Sequence, residues 1–421
     1  MRTAFLLVVW VLTRAAVLWL FFGPDAWVTG DVAYFDASLR TVPALGLGQV
    51  LVEYPLPAVG VLAVPWLAAR AVGGEHTYAD LVMVAALLTD AAFTVLLYRY
   101  GGARRVRATA VWVLGVPLLG ATAYARFDLL PGVLVGAAVL LLPRHPRLAA
   151  LSAALATGVK LWPAMLLPQL VAAVRRRGRV LAVIAATGVV LAGGSLAVAG
   201  WDRLVSPLTF QAGRGLQIES LLATPAMLGW WLRPDTWTVT YASSHAYEVT
   251  GPAVPALVHA TTLLTVLFAL ALLAAWVVVY RLPDPLPVEG MVWLSLAAVT
   301  GFVLVGKVLS PQYLLWLLPP AAAGVAVVAR GQRRLLAWCA LLLVATGLTQ
   351  LVFPTSYTGM IAHTDVTGRA VLLLAARNLL LVWLFLLAAG QTYGVLREAQ
   401  RGSALERQPA GPESRAARTF R

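Results

Sequence analysis

Isolated ionisable residues interrupt the apolar stretches of this chain. Their types suit two jobs, taking a proton from a hydroxyl and holding an anion. Asp31 stands in VTGDVAYFDASL, Asp36 follows in the same segment, and Glu53 precedes Tyr54 and Pro55. A carboxylate beside a membrane-facing cavity can act as general base on a hydroxyl. A solvated loop acid capping a short helix is the plainer reading of the same residues. Arg126 and Asp128 form RFD. They read either as a local Arg–Asp pair or N-cap, or as a guanidinium facing a phosphate, whose oxygens it matches well.

Lysine and arginine together number 32, yet only two are lysines, Lys160 and Lys307. Each ends an apolar run and is followed by a helix-breaking proline, Pro163 in TGVKLWPAML and Pro311 in VGKVLSPQYLLW. A lysine at such a turn either snorkels to the interface or contacts an anion. At Lys307 the next helix would add free N–H groups, and Ser310, Gln312 and Tyr313 add further hydrogen-bonding capacity. The segment FQAGRGLQIES gathers Arg214, Gln217, Glu219 and Ser220. Trp201, Trp230, Trp231 and Trp237 surround it and read first as interfacial belt residues, with sugar stacking the lesser reading.

These groups must be positioned by helices that live in lipid. Apolar residues make up 60% of the 421 residues and charged residues only 12%, and the mean hydropathy is +0.82. A soluble domain cannot hide that much apolar surface. In a bilayer every backbone N–H and C=O must be paired internally, and long, non-alternating apolar runs mean helices rather than a barrel. The span-length rule gives about 12 transmembrane helices. They fall near residues 4–22, 80–99, 108–125, 128–143, 147–160, 162–174, 180–199, 254–280, 288–306, 312–330, 335–353 and 369–391. Arg14 and Asp90 fall inside the first two and are expected to neutralise one another.

With the N-terminus inside, the arginine clusters at 100–107, 144–147, 175–179, 281–287 and 331–334 all become cytoplasmic. That holds only if residues 55–73, apolar enough to span, lie at the outer surface as a non-spanning helix. The chain then divides into a transmembrane domain, 1–391, and a basic, disordered cytoplasmic tail, 392–421. Asp31, Glu53, Arg126, Lys160, Arg214 and Lys307 all face outward.

The net charge of +14 sits between apolar runs and sets topology, so nucleic acid is not the expected partner. One cysteine, Cys339, excludes a disulfide framework. No HExxH, DxD, Walker A or GxGxxG pattern is present, and His245, His259 and His363 are scattered, so no metal site and no cofactor are expected. An enzyme acting on the outer face would have no nucleotide supply, so its donor would be lipid-carried.

In order along the chain, GDVAYF, EYPLP, RFDLLP, GVKLWPAMLLP, RGLQIES and KVLSPQYLLWLLP resemble the GT-C class of polytopic glycosyltransferases. Within it they resemble family 87, the polyprenol-phosphate-mannose-dependent mannosyltransferases. Leu56 stands where the family motif often has a second proline. The resemblance implies an all-α, GT-C-like membrane enzyme, with outer-face loops and residues 55–73 as an amphipathic outer helix, that transfers a sugar, mannose by analogy. The sugar passes from a polyprenyl-phosphate donor to a lipid or glycan acceptor with inversion. It implies a multi-pass protein of the bacterial cytoplasmic membrane, termini inside and active site outside. Asp31 becomes the general base. Lys160, Lys307, Arg126 and Arg214 become donor-phosphate ligands, and Tyr34, Asp36, Glu53, Gln217, Glu219 and Gln312 the sugar and acceptor set. A transporter or flippase of lipid-linked sugars is the alternative, with Arg14, Asp90 and the broken helices lining a path.

Overall fold

The computed structural model describes residues 2–74, 77–212 and 214–406. Among them, seven helices are long and apolar enough to cross a bilayer: Thr3–Phe22, Thr77–Tyr100, Arg177–Phe210, Val254–Tyr280, Val288–Val305, Gln332–Thr355 and Thr367–Arg401. Each matches one of the expected spans. Several leave most of their surface outside the bundle, with Val189, Val190 and Leu270 all more than half exposed. Such apolar exposure belongs against acyl chains rather than water.

The other five expected spans are short, broken helices packed among these seven. Residues 108–125 become Arg105–Leu118 and a turn at Thr122–Ala125, and 128–143 becomes Leu129–Leu141. Residues 147–160 become Pro146–Val159. Residues 162–174 and 312–330 each open as a 3-10 turn, Trp162–Leu166 and Pro311–Trp316, then continue as Leu167–Ala172 and Leu318–Val327. A 14-residue helix covers about 21 Å, short of a hydrocarbon core of about 30 Å. These inner helices pack backbone to backbone. A side chain at Gly132 would run into the Leu315 carbonyl, so only glycine allows that approach.

The two ends of the bundle differ in chemistry. At one end Arg104 reaches the Ala326 carbonyl, Arg107 bonds Gln332 and Arg144 bonds the Tyr100 carbonyl. Arg334 bonds Gln391 there, and Arg177 lies over the Tyr280 ring. The other end carries Gly30–Arg40, the 46–55 loop, the RFD turn and the 214–250 segment. The last includes a hairpin, Thr238–Tyr241 paired antiparallel with Tyr247–Thr250, that the sequence reading did not anticipate.

Residues 55–73 form Leu56–Val72, packed against Thr77–Tyr100. Its buried face is Ala58, Val59 and Leu62, while Val64, Leu67 and Val72 are exposed. The helical region does not end at 391, because the last helix runs Thr367–Glu406. The expected tail therefore starts inside a helix, and residues 407–421 lie outside the described residues.

Arg14 and Asp90 pair as expected, through bonds of 2.7 and 2.8 Å. Trp112 Nε1 and Tyr124 Oη also donate to Asp90, at 2.6 Å each, so this buried carboxylate is fully occupied. It knits the first helix to its neighbours.

Candidate active site

The short inner helices stop where the polar residues meet. Asp128 precedes Leu129–Leu141, and its carboxylate is almost fully buried. Asp128 Oδ1 accepts 2.6 Å hydrogen bonds from Lys160 Nζ and from Trp316 Nε1. The KLWP turn and the PQYLLW turn are thus tied to the RFD turn by one carboxylate. The rings of Trp162 and Trp316 stack at 5.0 Å, and Lys160 lies 5.4 Å from the Tyr54 ring centroid and 5.7 Å from that of Trp316. The ammonium therefore keeps a charge partner and a π-rich enclosure.

Arg126 does not pair with Asp128 beside it. It forms an ion pair with Asp31, in the first turn of the Gly30–Arg40 helix, and lies over the Phe353 ring. Arg126 is 11% exposed and Asp31 40%, so the acid is held by a mostly buried guanidinium and stays partly open. Two residues apart, Arg126 and Asp128 brace a candidate base and a candidate anion ligand from a single turn.

Around Asp31 the aromatic rings form an arc. Tyr34 lies against His245, His245 against Tyr241, Tyr241 against Tyr247, and Tyr247 against Tyr357, with centroids 4.9 to 6.5 Å apart. Tyr34 Oη donates a 2.8 Å bond to Glu53 Oε1. Burial first, then the Glu53 charge, pushes the Tyr34 phenol above its ordinary range, so it stays a hydrogen-bond donor.

A cavity of about 500 Å³ adjoins this group. Its polar end holds Glu53, Lys160, Arg214 and Lys307. Its apolar side is Pro207 and Leu208 on one long helix, Thr265 and Val266 on another, and Phe302. Leu208 and Val266 are also exposed on the outside of the bundle, so the cavity opens sideways between the two helices. Arg214 bonds the Ser244 carbonyl at 2.8 Å, and its Nε is buried without a hydrogen-bond partner among the described residues. Lys307 sits on the KVLS turn, whose carbonyl accepts the Gln217 N–H at 3.0 Å.

Three of the expected site residues are committed elsewhere. Asp36 accepts from Arg40 and, at 3.1 Å, from Trp66 Nε1, which ties its helix to Leu56–Val72 on the side away from the cavity. Gln217 spends its carbonyl on the N–H groups of Glu219 and Leu309. Glu219 is buried and paired at 2.8 Å with Arg377, which also bonds the Glu219 carbonyl. Burial raises the Glu219 carboxyl above the usual range although Arg377 opposes the shift. Gln312 lies on the PQYLLW turn, with a buried Oε1 that has no hydrogen-bond partner among the described residues, and is not among those lining the cavity.

Two arginines escaped the sequence reading. Arg377 stands in AARNLL within the last apolar stretch, where its charge was the available signal. Arg203, in WDRL, is 2% exposed and donates to the carbonyls of Leu47, Leu51 and Tyr54, while Ser206 bonds that of Val52. It clamps the loop that delivers Glu53 and Tyr54. Gly200, at φ 77°, bends the helix so that Arg203 can reach that loop.

A family model, glycosyltransferase family 87, matches residues 53–311. The match spans Glu53, the RFD turn, Lys160, Arg214 and Lys307, and begins after Asp31. No curated protein and no solved structure matches the chain.

Proposed function

We propose that this chain, which belongs to glycosyltransferase family 87 and is a membrane glycosyltransferase, takes its sugar from a polyprenyl phosphate. The carrying observation is the cavity that joins Lys160, Arg214 and Lys307 to an apolar side opening between two lipid-facing helices. An amphipathic donor matches both ends. Its phosphate meets the cations, and its prenyl chain leaves between Leu208 and Val266 without crossing water.

Asp31 removes the proton from an acceptor hydroxyl, and the oxygen attacks the anomeric carbon from the face opposite the phosphate. The bond between that carbon and the phosphate oxygen breaks, and polyprenyl phosphate departs. The cations stabilise the charge that develops on the leaving oxygen. Because phosphate leaves as an anion, no general acid is required. Arg126 orients the base through its ion pair with Asp31 rather than binding phosphate. Tyr34 and Glu53 stand between base and cavity and orient the sugar or acceptor.

By the positive-inside rule the arginine-rich end is cytoplasmic and the site lies on the outer face of the bacterial cytoplasmic membrane. Mannose is the proposed sugar, and a lipid or glycan the acceptor. The test is transfer by the purified full chain from a panel of polyprenyl-phosphate sugars, with linkage analysis of the product. Transfer from a nucleotide sugar but from no polyprenyl phosphate would overturn the donor assignment.

A further inference from the structure

The arginine-rich end of the bundle contains a second cavity, of about 720 Å³, far from the residues assigned to transfer. Arg147 lines one side of it and Arg175, Arg176 and Arg179 another, with His145 between. Among the described residues no carboxylate lines it. All four arginines are exposed at the rim of this cavity, and among the described residues none of their side chains has an ion pair or a hydrogen bond. Elsewhere at this end arginines do find partners, as Arg107 does with Gln332 and Arg334 with Gln391.

Helix direction adds to the charge. Pro146–Val159, Arg177–Ala212 and Val288–Val305 all begin at this cavity. First-turn N–H groups have no intrahelical partner, and each N-terminus carries partial positive charge. Guanidinium groups and helix starts together select an anion, and guanidinium geometry favours phosphate oxygens. The remaining wall is apolar: Leu142, Val174, Val180 and Val288, with Leu148 half exposed at the edge. A soluble phosphate has no use for that wall, whereas a lipid lays its acyl chains along it.

We propose that this cavity binds the phosphate headgroup of an anionic phospholipid in the leaflet opposite the transfer site. The site is independent of the transfer reaction and of the donor assigned to it. Its function would be to hold the starts of three helices at a fixed depth. The alternative for the same arginines is a solvated cluster that sets topology and binds nothing.

The test uses the full chain in a neutral detergent, supplied with phosphatidylglycerol or with phosphatidylcholine. Bound lipid is counted by native mass spectrometry and stability is read by thermal unfolding. The variant is R147Q/R176Q/R179Q. A charge-matched control, R281Q/R330Q/R333Q, removes the same charge from arginines outside the cavity. Wild type and control should retain phosphatidylglycerol and be stabilised by it, with no such effect of phosphatidylcholine. The cavity variant should bind it at least about tenfold more weakly. Equal retention by the cavity variant and wild type, or equal loss in the control, would overturn the proposal. Displacement of the lipid by millimolar inorganic phosphate would overturn the choice of a lipid.

Discussion

Lys160 Nζ lies 2.6 Å from Asp128 Oδ1, and this bond joins two broken helices at the floor of the cavity. Lys160 is therefore not a lysine that merely snorkels. Its carboxylate partner is 2% exposed and is also held by Trp316. Removing the lysine alone leaves a buried charge without its cation, which costs about 3–5 kcal/mol. We expect Lys160→Gln to lose both stability and transfer. Lys160→Gln/Asp128→Asn should regain most of the stability while transfer stays low and the KM for donor stays high. Recovery of transfer in the double variant would show that Lys160 only neutralises Asp128.

Arg203 predicts a different pattern. Its guanidinium holds the carbonyls of the 47–54 loop, so Arg203→Gln should free that loop without touching the cations. Lost hydrogen bonds of a charged donor cost about 1.5–3 kcal/mol each. Limited proteolysis should cut near residues 47–54 in the variant, and kcat should fall through misplacement of Glu53 and Tyr54. Unchanged cleavage and unchanged kcat would show that Arg203 does not clamp this loop.

The Arg377–Glu219 pair lies in the core beneath the RGLQIES segment. Arg377→Met should destabilise by about 3–5 kcal/mol, because it strands a buried carboxylate. Glu219 has a raised pKa, so in the Arg377→Met variant its protonation at lower pH should relieve part of the loss. The sign follows from the direction of the shift. A carboxyl whose folded pKa lies above its unfolded value favours the folded state below the unfolded pKa, and that advantage is lost as pH rises through the folded pKa. Thermal unfolding between pH 4 and 8 checks this, and a variant that is less stable at the acidic end would contradict it.

The long helices were legible because a run of about 20 apolar residues has few other uses. The broken ones were not. Leu129–Leu141 and Leu318–Val327 are as apolar as the spans around them, and hydropathy does not distinguish burial in protein from burial in lipid. The turns RFD, KLWP and KVLSP were visible as polar residues beside prolines, and they do meet. Their partners were hidden by sequence distance. Arg126 passes over Asp128 beside it for Asp31, and Glu219 finds Arg377 across 158 positions. The hairpin was missed because TVTY and YEVT are each only four residues, shorter than a dependable alternation signal.

Asp31, held by Arg126, is the base we propose to activate the acceptor. The most direct measurement is transfer from a polyprenyl-phosphate sugar by purified Asp31→Asn. Donor binding and thermal unfolding of the same preparation serve as controls. Transfer should fall by at least about 10²-fold with folding and donor binding retained. Transfer at the wild-type rate from a folded Asp31→Asn protein would contradict it.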